Sequence, residues 1–486
     1  MIKIDQAKHE SGFPMLSSID SGARQTVSRR QIVVGLAIVA ILGFFAIVAP
    51  LVTAIGLIAA VTLLYLAALI YRLAIYWLSF RNPEVAVVTD EEARSIPADE
   101  LPIYTVLVPA YHEPSVIGAL IGRLREFEYP VDKLDIRILL EEDDGETIAA
   151  TAAELAAHPG PQFTIVRVPD SQPRTKPKAC NYGLLGARGE YVTIYDAEDR
   201  PEPLQLRRAV VALERFGSSV ACLQAKLSYY NADQNLLTRW FTIEYAMWFS
   251  FLLPGLVSER GPLPLGGTSN HFRRAVLLAV GGWDPYNVTE DADLGIRLAR
   301  QGYQTRVLES TTLEEANSDV INWIKQRSRW YKGYLQTWLV HTRHPRQLRR
   351  ELGWRGIVGF NLFVAGTPLL ALLNPVFWTL TALWFLVHPA VILALFPAWL
   401  YYLSLGVMVV GNFSLFYTWL VSARITGSRS LVFASLLVPL YWALMSLAAT
   451  KAAIQLVSAP SFWEKTVHGL DLATQPERAT AADTDL

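Results

Sequence analysis

Hydrophobic residues are concentrated in two blocks of this chain, which flank a region of mixed composition. The first block, residues 31–78, is almost continuously apolar, with Pro50 near its centre. Because a membrane-spanning helix needs about 20 apolar residues, this block predicts two such helices, at about 32–49 and 54–78. The length of the apolar run and of the segment before it argues against a cleaved signal peptide.

The second block contains three apolar runs. The runs at about 358–386 and 391–422 are predicted to cross the membrane, which gives four spanning helices together with the first block. The third run, 431–456, is long enough to span, but it contains Pro439 and Lys451. This run is therefore expected either to cross the membrane or to lie in the membrane interface.

Basic residues set the expected orientation of these helices. Arg29 and Arg30 precede the first helix, Arg81 follows the second, and Arg424 follows the fourth. Since loops rich in arginine and lysine stay in the cytoplasm, all of these positions are predicted to be cytoplasmic. The turn between the first two helices and the segment at His388 should then face the outside.

Residues 82–350, between the two blocks, have the pattern of a soluble α/β domain. Short apolar runs alternate with helical patterns, as in IYTVLVPA, DIRILL, FTIVRV and YVTIYDA, and this is typical of a mostly parallel sheet covered on both faces. The content of 52% hydrophobic and 18% charged residues fits a soluble domain joined to membrane helices. A net charge of −1 gives no sign of a nucleic-acid partner. Cys180 and Cys222 lack metal-binding spacing and are expected to be reduced.

Acidic residues follow three of the predicted strands, at the edge of the sheet where α/β domains bind ligands. The first strand leads to Glu113, and the second leads to Asp143 and Asp144. The motif DAED after a later strand adds Asp196, Glu198 and Asp199. One acidic strand end is usually a solvated loop, but three of them predict a ligand site.

The DAED motif suggests a divalent metal. Carboxylates delivered into a turn by an apolar strand suit hard cations such as Mg²⁺ or Mn²⁺, which also bind phosphate oxygens. A metal that bridges a diphosphate would neutralise the charge that develops as the diphosphate leaves. The alternative, for this motif alone, is a simple turn before Pro201.

Three further segments carry groups that suit a phosphorylated ligand. TKPKACN contains Lys176 and Lys178, either of which could bind phosphate or lie in a surface loop. VTEDADLGIRL places Glu290 and Asp291 at the start of a helical pattern, where acids are also common because of the helix dipole. QRSRW, residues 326–330, combines arginines that can fork onto phosphate with a tryptophan, although it would also serve as a membrane-surface anchor.

In their order and spacing, these motifs resemble those of the family 2 glycosyltransferases over residues 104–333. The resemblance is closest to the membrane-embedded branch that includes the cellulose, hyaluronan and chitin synthases, whose processive members carry Q-x-x-R-W. It implies a GT-A-like α/β domain with a mostly parallel sheet, inserted between transmembrane helices and accompanied by interfacial amphipathic helices.

The resemblance also implies a role for each matching residue. Asp291 in TED would be the catalytic base, and Asp143 would contact uracil. The residues implied in binding Mg²⁺ or Mn²⁺ are Asp196, Glu198 and Asp199. The other residues implied in substrate binding are Glu113, Asp144, Lys178, Gly267, Thr268, Glu290, Gln326, Arg329 and Trp330. Of these, Gln326 and Arg329 would hold the leaving diphosphate, and Trp330 would face the terminal sugar of the acceptor.

The function implied is inverting sugar transfer from a UDP-sugar to a growing glycan or a lipid-linked acceptor. The expected product is a β-linked polysaccharide that is moved across the membrane as it grows, with room for export or periplasmic partner subunits. Two alternatives stay open: transfer of a single sugar to a lipid carrier, and a non-catalytic membrane receptor or scaffold. The expected location is the cytoplasmic (inner) membrane, with several crossings and a cytoplasmic catalytic domain.

A distant form of the gating loop of cellulose synthases is expected near the end of the chain. SFWEKTVHG, residues 461–469, resembles this loop and contributes Trp463, Thr466 and His468. Because such a loop must reach a cytoplasmic site, the run 431–456 is expected to lie along the interface or to re-enter. The predicted regions are 1–30 (cytoplasmic), 31–80 (two transmembrane helices), 81–350 (glycosyltransferase domain with interfacial helices at its end), 351–457 (transmembrane or interfacial helices) and 458–486 (gating-loop-like segment and tail).

Overall fold

The computed structural model describes residues 22–387, 389–460 and 462–464. The chain starts with two long apolar helices, α1 (Arg29–Val48) and α2 (Pro50–Arg81). A capping box at Ser28 begins α1, and Pro50 stands at the first turn of α2, where its missing N–H costs no hydrogen bond. Both helices lie where the apolar pattern predicted them.

One mixed sheet with nine strands forms the centre of the domain that follows. The strands occur in the spatial order β1-β9-β7-β8-β5-β2-β3-β4, with β6 paired to β9. Most neighbours are parallel, whereas β8 runs antiparallel to β5 and β7, and β6 runs antiparallel to β9. The strands are β1 (Val85–Ala86), β2 (Tyr104–Ala110), β3 (Leu134–Glu141), β4 (Phe163–Val168), β5 (Tyr191–Ile194), β6 (Arg200–Pro201), β7 (Val220–Tyr229), β8 (Asn270–Arg273) and β9 (Gln304–Glu314).

Helices cover both faces of this sheet, as the continuous apolar strands require. Along β2, Val106 and Val108 pack into one hydrophobic cluster, while Leu107 between them packs into another. The helices around the sheet are α3 (Asp90–Arg94), α4 (Ile117–Leu124), α5 (Gly145–Ala157), α6 (Lys176–Leu185), α7 (Gln205–Phe216), α10 (Arg274–Ala279) and α11 (Glu290–Arg300). The predicted α/β architecture with a mostly parallel sheet is confirmed.

The remaining helices connect this domain to the second apolar block. A π-helical turn joins α8 (Leu236–Met247) to α9 (Leu253–Glu259), and another joins α13 (Pro345–Gly359) to α14 (Gly366–Val387). The others are α12 (Val320–His341), α15 (Ala390–Leu395), α16 (Ala398–Ile425), α17 (Arg429–Ser435) and α18 (Val438–Ser458). The motif QRSRW lies within α12, and α18 packs against both α12 and α14.

Six helical segments in the described residues are long and apolar enough to cross a membrane. Five of them overlap the predicted runs, and the third C-terminal run, 431–456, is divided between α17 and α18, of which α18 is long enough to cross. The sixth, Leu236–Glu259, was not singled out by the sequence pattern. Trp240, Phe241 and Ile243 in this segment are buried inside the protein, so contacts within the fold account for much of its apolar character.

Candidate active site

A cavity of about 1390 Å³ lies at the carboxyl ends of the parallel strands and continues between α2, α14 and α16. Most of the residues that the sequence assigned to substrate or metal line this single space. They are Glu113, Asp196, Glu198, Gly267, Thr268, Glu290, Asp291, Gln326, Arg329, Trp330 and Trp463. Thr466 and His468 of the gating-loop-like motif lie outside the described residues.

The two acids after β3 have different environments. Asp144 is buried and caps α5, because its carboxylate accepts hydrogen bonds from the backbone N–H of Thr147 at 3.1 Å and of His112 at 2.5 Å. Burial alone would raise the pKa of Asp144, but these hydrogen bonds outweigh it and hold the pKa below its usual range. Asp143 is partly exposed and pairs with Arg174, 2.7 Å away. Of the two, only Asp143 is accessible enough to meet a ligand.

The two lysines of TKPKACN point in different directions. Both lie in the first turn of α6, where residues two apart stand on nearly opposite sides of the helix. Lys178 Nζ lies 2.7 Å from Glu141 Oε2 and donates to the Pro169 carbonyl at 2.9 Å. Lys176 Nζ faces the cavity, 2.5 Å from Asp196 Oδ1. The sequence favoured Lys178 for the diphosphate, whereas the structure brings Lys176 to the strand-end acids.

The three acids of the DAED motif have two different environments. Asp196 and Glu198 face the cavity. Asp199 is fully buried and closes the turn, accepting hydrogen bonds from the Asp196 backbone N–H at 2.8 Å and from the Thr268 hydroxyl. Burial, reinforced by the charges of Asp196 and Glu198, raises the pKa of Asp199 well above its usual range. Of the three acids, Asp196 and Glu198 are therefore better placed to meet a metal than Asp199.

The donor set fits a divalent cation that shares its coordination with a ligand. Two carboxylates that face a cavity are suitable oxygen ligands for Mg²⁺ or Mn²⁺, and the Lys176 ammonium beside Asp196 shows that a positive charge is accommodated there. No group of three or more histidine, cysteine or acidic side chains in the described part of the chain is arranged to hold a metal. Asp196 and Glu198 would therefore need further oxygen ligands from elsewhere.

The TED motif lies at the start of α11, across the cavity from DAED. Asp291 Oδ1 accepts the Ala292 backbone N–H at 2.7 Å. A methyl group added at Gly267 would lie 3.5 Å from Asp291 Oδ2 and 3.7 Å from Lys176 Nζ, so this glycine stands between the two charged groups. Burial raises the pKa of Asp291, and burial beside Asp291 raises the pKa of Glu290. Both acids therefore hold protons more tightly than exposed carboxyls do.

Helix α12 holds the loop that carries TED. The Gln336 side chain accepts the Val288 backbone N–H at 3.2 Å, and Asn287 donates to the Thr337 hydroxyl at 2.9 Å. Gly333 allows α12 to approach Thr289 directly, since any side chain at this position would overlap it. The QRSRW helix and the TED loop therefore form one packed unit.

Aromatic and cationic groups alternate on the cavity side of α12. The Arg329 guanidinium lies 4.7 Å from the ring centre of Trp463, and that of Arg327 lies 4.6 Å from the ring centre of Trp330. Arg327 also forms a bidentate ion pair with Glu244 of α8. Arg327 stands inside the quoted motif, but its ion pair with a residue 83 positions away leaves no local signal in the sequence.

Comparison with known proteins identifies the family of this chain. Residues 191–462 match the family model described as glycosyl transferase family group 2, and residues 105–275 match that of glycosyl transferase family 2. The chain belongs to glycosyltransferase family 2. This confirms the predicted family and makes the protein an enzyme rather than a receptor or scaffold.

Curated relatives of this glycosyltransferase include enzymes with different products. It is 28% identical over 238 residues to the probable glycosyltransferase YdaM of Bacillus subtilis, covering 48% of this chain and 56% of the relative. It is 30% identical over 260 residues to beta-monoglucosyldiacylglycerol synthase of Synechocystis sp., covering 52% of each. Cellulose synthase 2 of Novacetimonas hansenii is 29% identical over 259 residues, which are 51% of this chain and 15% of that one. The chain spans about half the length of the first two relatives.

A solved structure supports the GT-A-like fold. The mannosyltransferase PcManGT from Pyrobaculum calidifontis, in complex with GDP-Man and Mn²⁺, superposes with a TM-score of 0.53 at 19% identity. The superposition covers 83% of this glycosyltransferase and 99% of the other chain. The shared fold includes helices beyond the sheet domain, because the match extends well past the length of the sheet domain alone.

Proposed function

We propose that this glycosyltransferase is an inverting, metal-dependent membrane enzyme that uses a UDP-sugar to elongate a β-linked polysaccharide, which it passes into its membrane helices. The single observation that carries the proposal is the continuity of the cavity. The space that contains Asp291 and Trp330 extends without a break to Tyr65 of α2, Trp384 of α14 and Tyr401 of α16. A sugar added at Asp291 therefore has a path toward the membrane.

The donor would bind along the strand ends. Asp143, which pairs with the cavity-lining Arg174, would face the uracil, and Asp196 with Glu198 would hold Mg²⁺ or Mn²⁺ together with the phosphate oxygens. The metal would supply neutralisation of the negative charge on the departing nucleoside diphosphate. Arg329, whose guanidinium faces the same cavity, would donate charge-assisted hydrogen bonds to that diphosphate, with Gln326 beside it.

The acceptor would enter from the other side of the cavity. Asp291 would remove the proton from the acceptor hydroxyl as its oxygen attacks the anomeric carbon, and its raised pKa suits a general base. Inversion of the usual α-linked donor then gives a β-linked product. Trp330 would present its ring to the terminal sugar, and the Arg327 guanidinium on that ring and the stacked Tyr245 ring keep it oriented.

The membrane part of the cavity has the mixed lining that a sugar chain needs. Tyr65 donates a hydrogen bond to Asn374 Oδ1 at 2.6 Å, and the hydroxyls of Thr62 and Ser404 lie 3.1 Å apart. Aromatic rings alternate with these polar groups, and Trp378 is one of them. Sugars stack on aromatic faces through their apolar C–H groups and hydrogen-bond through their hydroxyls, so this lining favours a glycan.

A second candidate function is the transfer of one sugar to a membrane lipid. An apolar groove of about 540 Å³ between α14, α16 and α18 is lined by residues that include Phe413, Phe416 and Pro439. It shares Trp378, Asn412 and Trp442 with the large cavity. The alkyl chain of a lipid acceptor would fit such a side opening, and one relative is a beta-monoglucosyldiacylglycerol synthase.

The proposal includes a location and a topology. The enzyme would lie in the cytoplasmic membrane, with the sheet domain, the segment at Arg424 and the C-terminal end in the cytoplasm. The long apolar helices support a membrane location. With both ends of α18 on the cytoplasmic side, this helix would lie along the interface. Export or periplasmic subunits would then receive the polymer outside.

Product analysis tests the proposal. The full chain, purified in detergent, would be offered a panel of UDP- and GDP-sugars with Mg²⁺ or Mn²⁺, while nucleotide release and product length are measured. The proposal expects UDP release from one sugar and a polymer as product. In Asp291→Asn, transfer should fall by about 10²–10⁴-fold with UDP binding nearly intact. A single-sugar lipid product would establish the second candidate instead, and full activity of Asp291→Asn would overturn the assignment of the base.

A further inference from the structure

The ammonium group of Lys176 occupies a central position in the active site. Its Nζ lies 2.5 Å from Asp196 Oδ1 and donates to the Gly267 carbonyl at 2.7 Å. Asp196 follows β5, and Gly267 precedes β8, so one lysine joins two separate elements at the strand ends. The charge of Glu290, at the start of α11, also acts on this ammonium. The lysine is therefore held by the groups that would surround a metal and a sugar donor.

The acidic side chains around Lys176 are stabilised by a nearby positive charge. Several buried or half-buried carboxylates face one cavity, and charges removed from water are costly unless they are paired. Arg327 also lines the cavity but is paired with Glu244, and Lys178, which does not line it, is paired with Glu141. Lys176 contacts a carboxylate of the DAED motif, whereas Arg123 donates only to the backbone carbonyls of Glu198 and Asp199.

We propose that Lys176 is a resident counter-ion that competes with the catalytic metal for Asp196, so that the metal enters together with the nucleotide. The proposal rests on the metal role of Asp196 in the proposed function. A metal held by Asp196 would need the carboxylate oxygens of this residue, and the ammonium already contacts one of them, Oδ1, at 2.5 Å. Two cations held on one carboxylate repel each other, so the ammonium weakens the binding of the metal there. The long flexible stem of lysine lets the ammonium swing away.

The diphosphate of the nucleotide shifts this competition in favour of the metal. Free Mn²⁺ would have to displace the ammonium with only the side chains of Asp196 and Glu198 as compensation. A nucleotide diphosphate adds phosphate oxygens, which bind the metal and also offer the displaced ammonium a new partner. Lys176 is thus a positioning residue for the metal before it becomes a contact of the donor.

Metal binding without donor tests this inference directly. Free Mn²⁺ would be titrated into the full-length protein in detergent and followed by the electron paramagnetic resonance signal of the unbound ion, with and without UDP. Lys176→Met, which keeps the length of the side chain and removes its charge, should bind Mn²⁺ at least about tenfold more tightly than the parent in the absence of UDP. By linkage, UDP should then enhance Mn²⁺ binding less in the variant than in the parent.

Matched variants separate the charge at this position from other effects. Lys176→Arg keeps the charge and should keep the weak affinity for free Mn²⁺. Lys226→Met removes a lysine that pairs with Glu309, neither of which lines the cavity, and should leave that affinity at the parent value. If Lys176→Met does not fold, Lys176→Gln, whose amide can still donate to the Gly267 carbonyl, should show the same tightening.

The outcomes distinguish this inference from the proposed function. If the parent binds Mn²⁺ with UDP but the neutral variants bind free Mn²⁺ no more tightly, the role of Lys176 is overturned and the metal role stands. Equal tightening in Lys226→Met would also overturn it, because the effect would then be one of general charge. If no variant binds Mn²⁺ with or without UDP, the inference falls together with the metal role of Asp196.

Discussion

Replacement of Gly333 by alanine should slow the enzyme strongly without changing any side chain that is assigned to the substrate or the metal. Gly333 lies in α12, where this helix crosses the loop that carries TED. A methyl carbon at this position would lie 2.3 Å from Thr289 Oγ1, 2.4 Å from its Cγ2 and 2.8 Å from its Cβ. Since non-bonded atoms make contact at about 3.5–4.0 Å, helix and loop must separate by about 1 Å.

The size of the effect follows from what is attached to Thr289. Glu290 and Asp291 follow it directly in the chain, so a displaced loop moves the proposed base relative to Asp196 and the metal. A misplacement of about 1 Å can cost about 10²-fold in rate, and overpacking of a buried contact costs about 1–3 kcal/mol of stability. Gly333→Ala should therefore lose about two orders of magnitude in kcat and unfold at a lower temperature, with donor KM changed only a few-fold.

The assay compares three proteins by nucleotide release and by thermal unfolding in detergent. Gly122→Ala is the matched control, because Gly122 is also a helical glycine but has no atom within 4 Å of the added methyl group. This control should keep the parent rate and stability. Thr289→Ala added to Gly333→Ala removes the two closest atoms and should restore part of the rate. The reasoning is refuted if Gly333→Ala behaves like Gly122→Ala in both measurements.

Three further predictions concern the metal, the core and the topology. Asp196→Ala should abolish the enhancement of UDP binding by Mn²⁺ in calorimetry without unfolding the protein; an unchanged enhancement would remove Asp196 from the metal site. Arg327→Met should destabilise the protein by about 1–3 kcal/mol, because Glu244 loses its cation and keeps only the hydrogen bond from Tyr441. Adding Glu244→Gln should recover part of the loss, and a double variant no more stable than Arg327→Met would argue against the ion pair. Single cysteines at His388 and at Asp471, in a chain without its native cysteines, should be labelled by a membrane-impermeant thiol reagent in intact cells only at position 388. Labelling at 471 would mean that α18 crosses the membrane and that the gating-loop resemblance is wrong.

Long-range packing explains where the sequence pattern was incomplete. Leu236–Glu259 is apolar enough to span a membrane, yet much of it is buried against elements that are distant in the chain. Its partner α18 was predicted to be interfacial or re-entrant, and in the structure it packs on α12, which carries QRSRW. The hydrophobic pattern shows that a helix has an apolar face, but such a face can pack against protein or against lipid. Whether the face contacts protein or lipid depends on residues about 200 positions away in the chain.

The sequence by itself determined the family, the α/β class and the acids at the strand ends. Strand alternation and motif spacing are local properties, and the carboxyl ends of parallel strands must meet at one edge, so DAED and the acid after β2 could be placed together in advance. Only the tertiary structure decided which neighbouring side chain faces the cavity. It turned Lys176 inward and Lys178 toward Glu141, because the two sides of a helical turn are set by what packs against the helix.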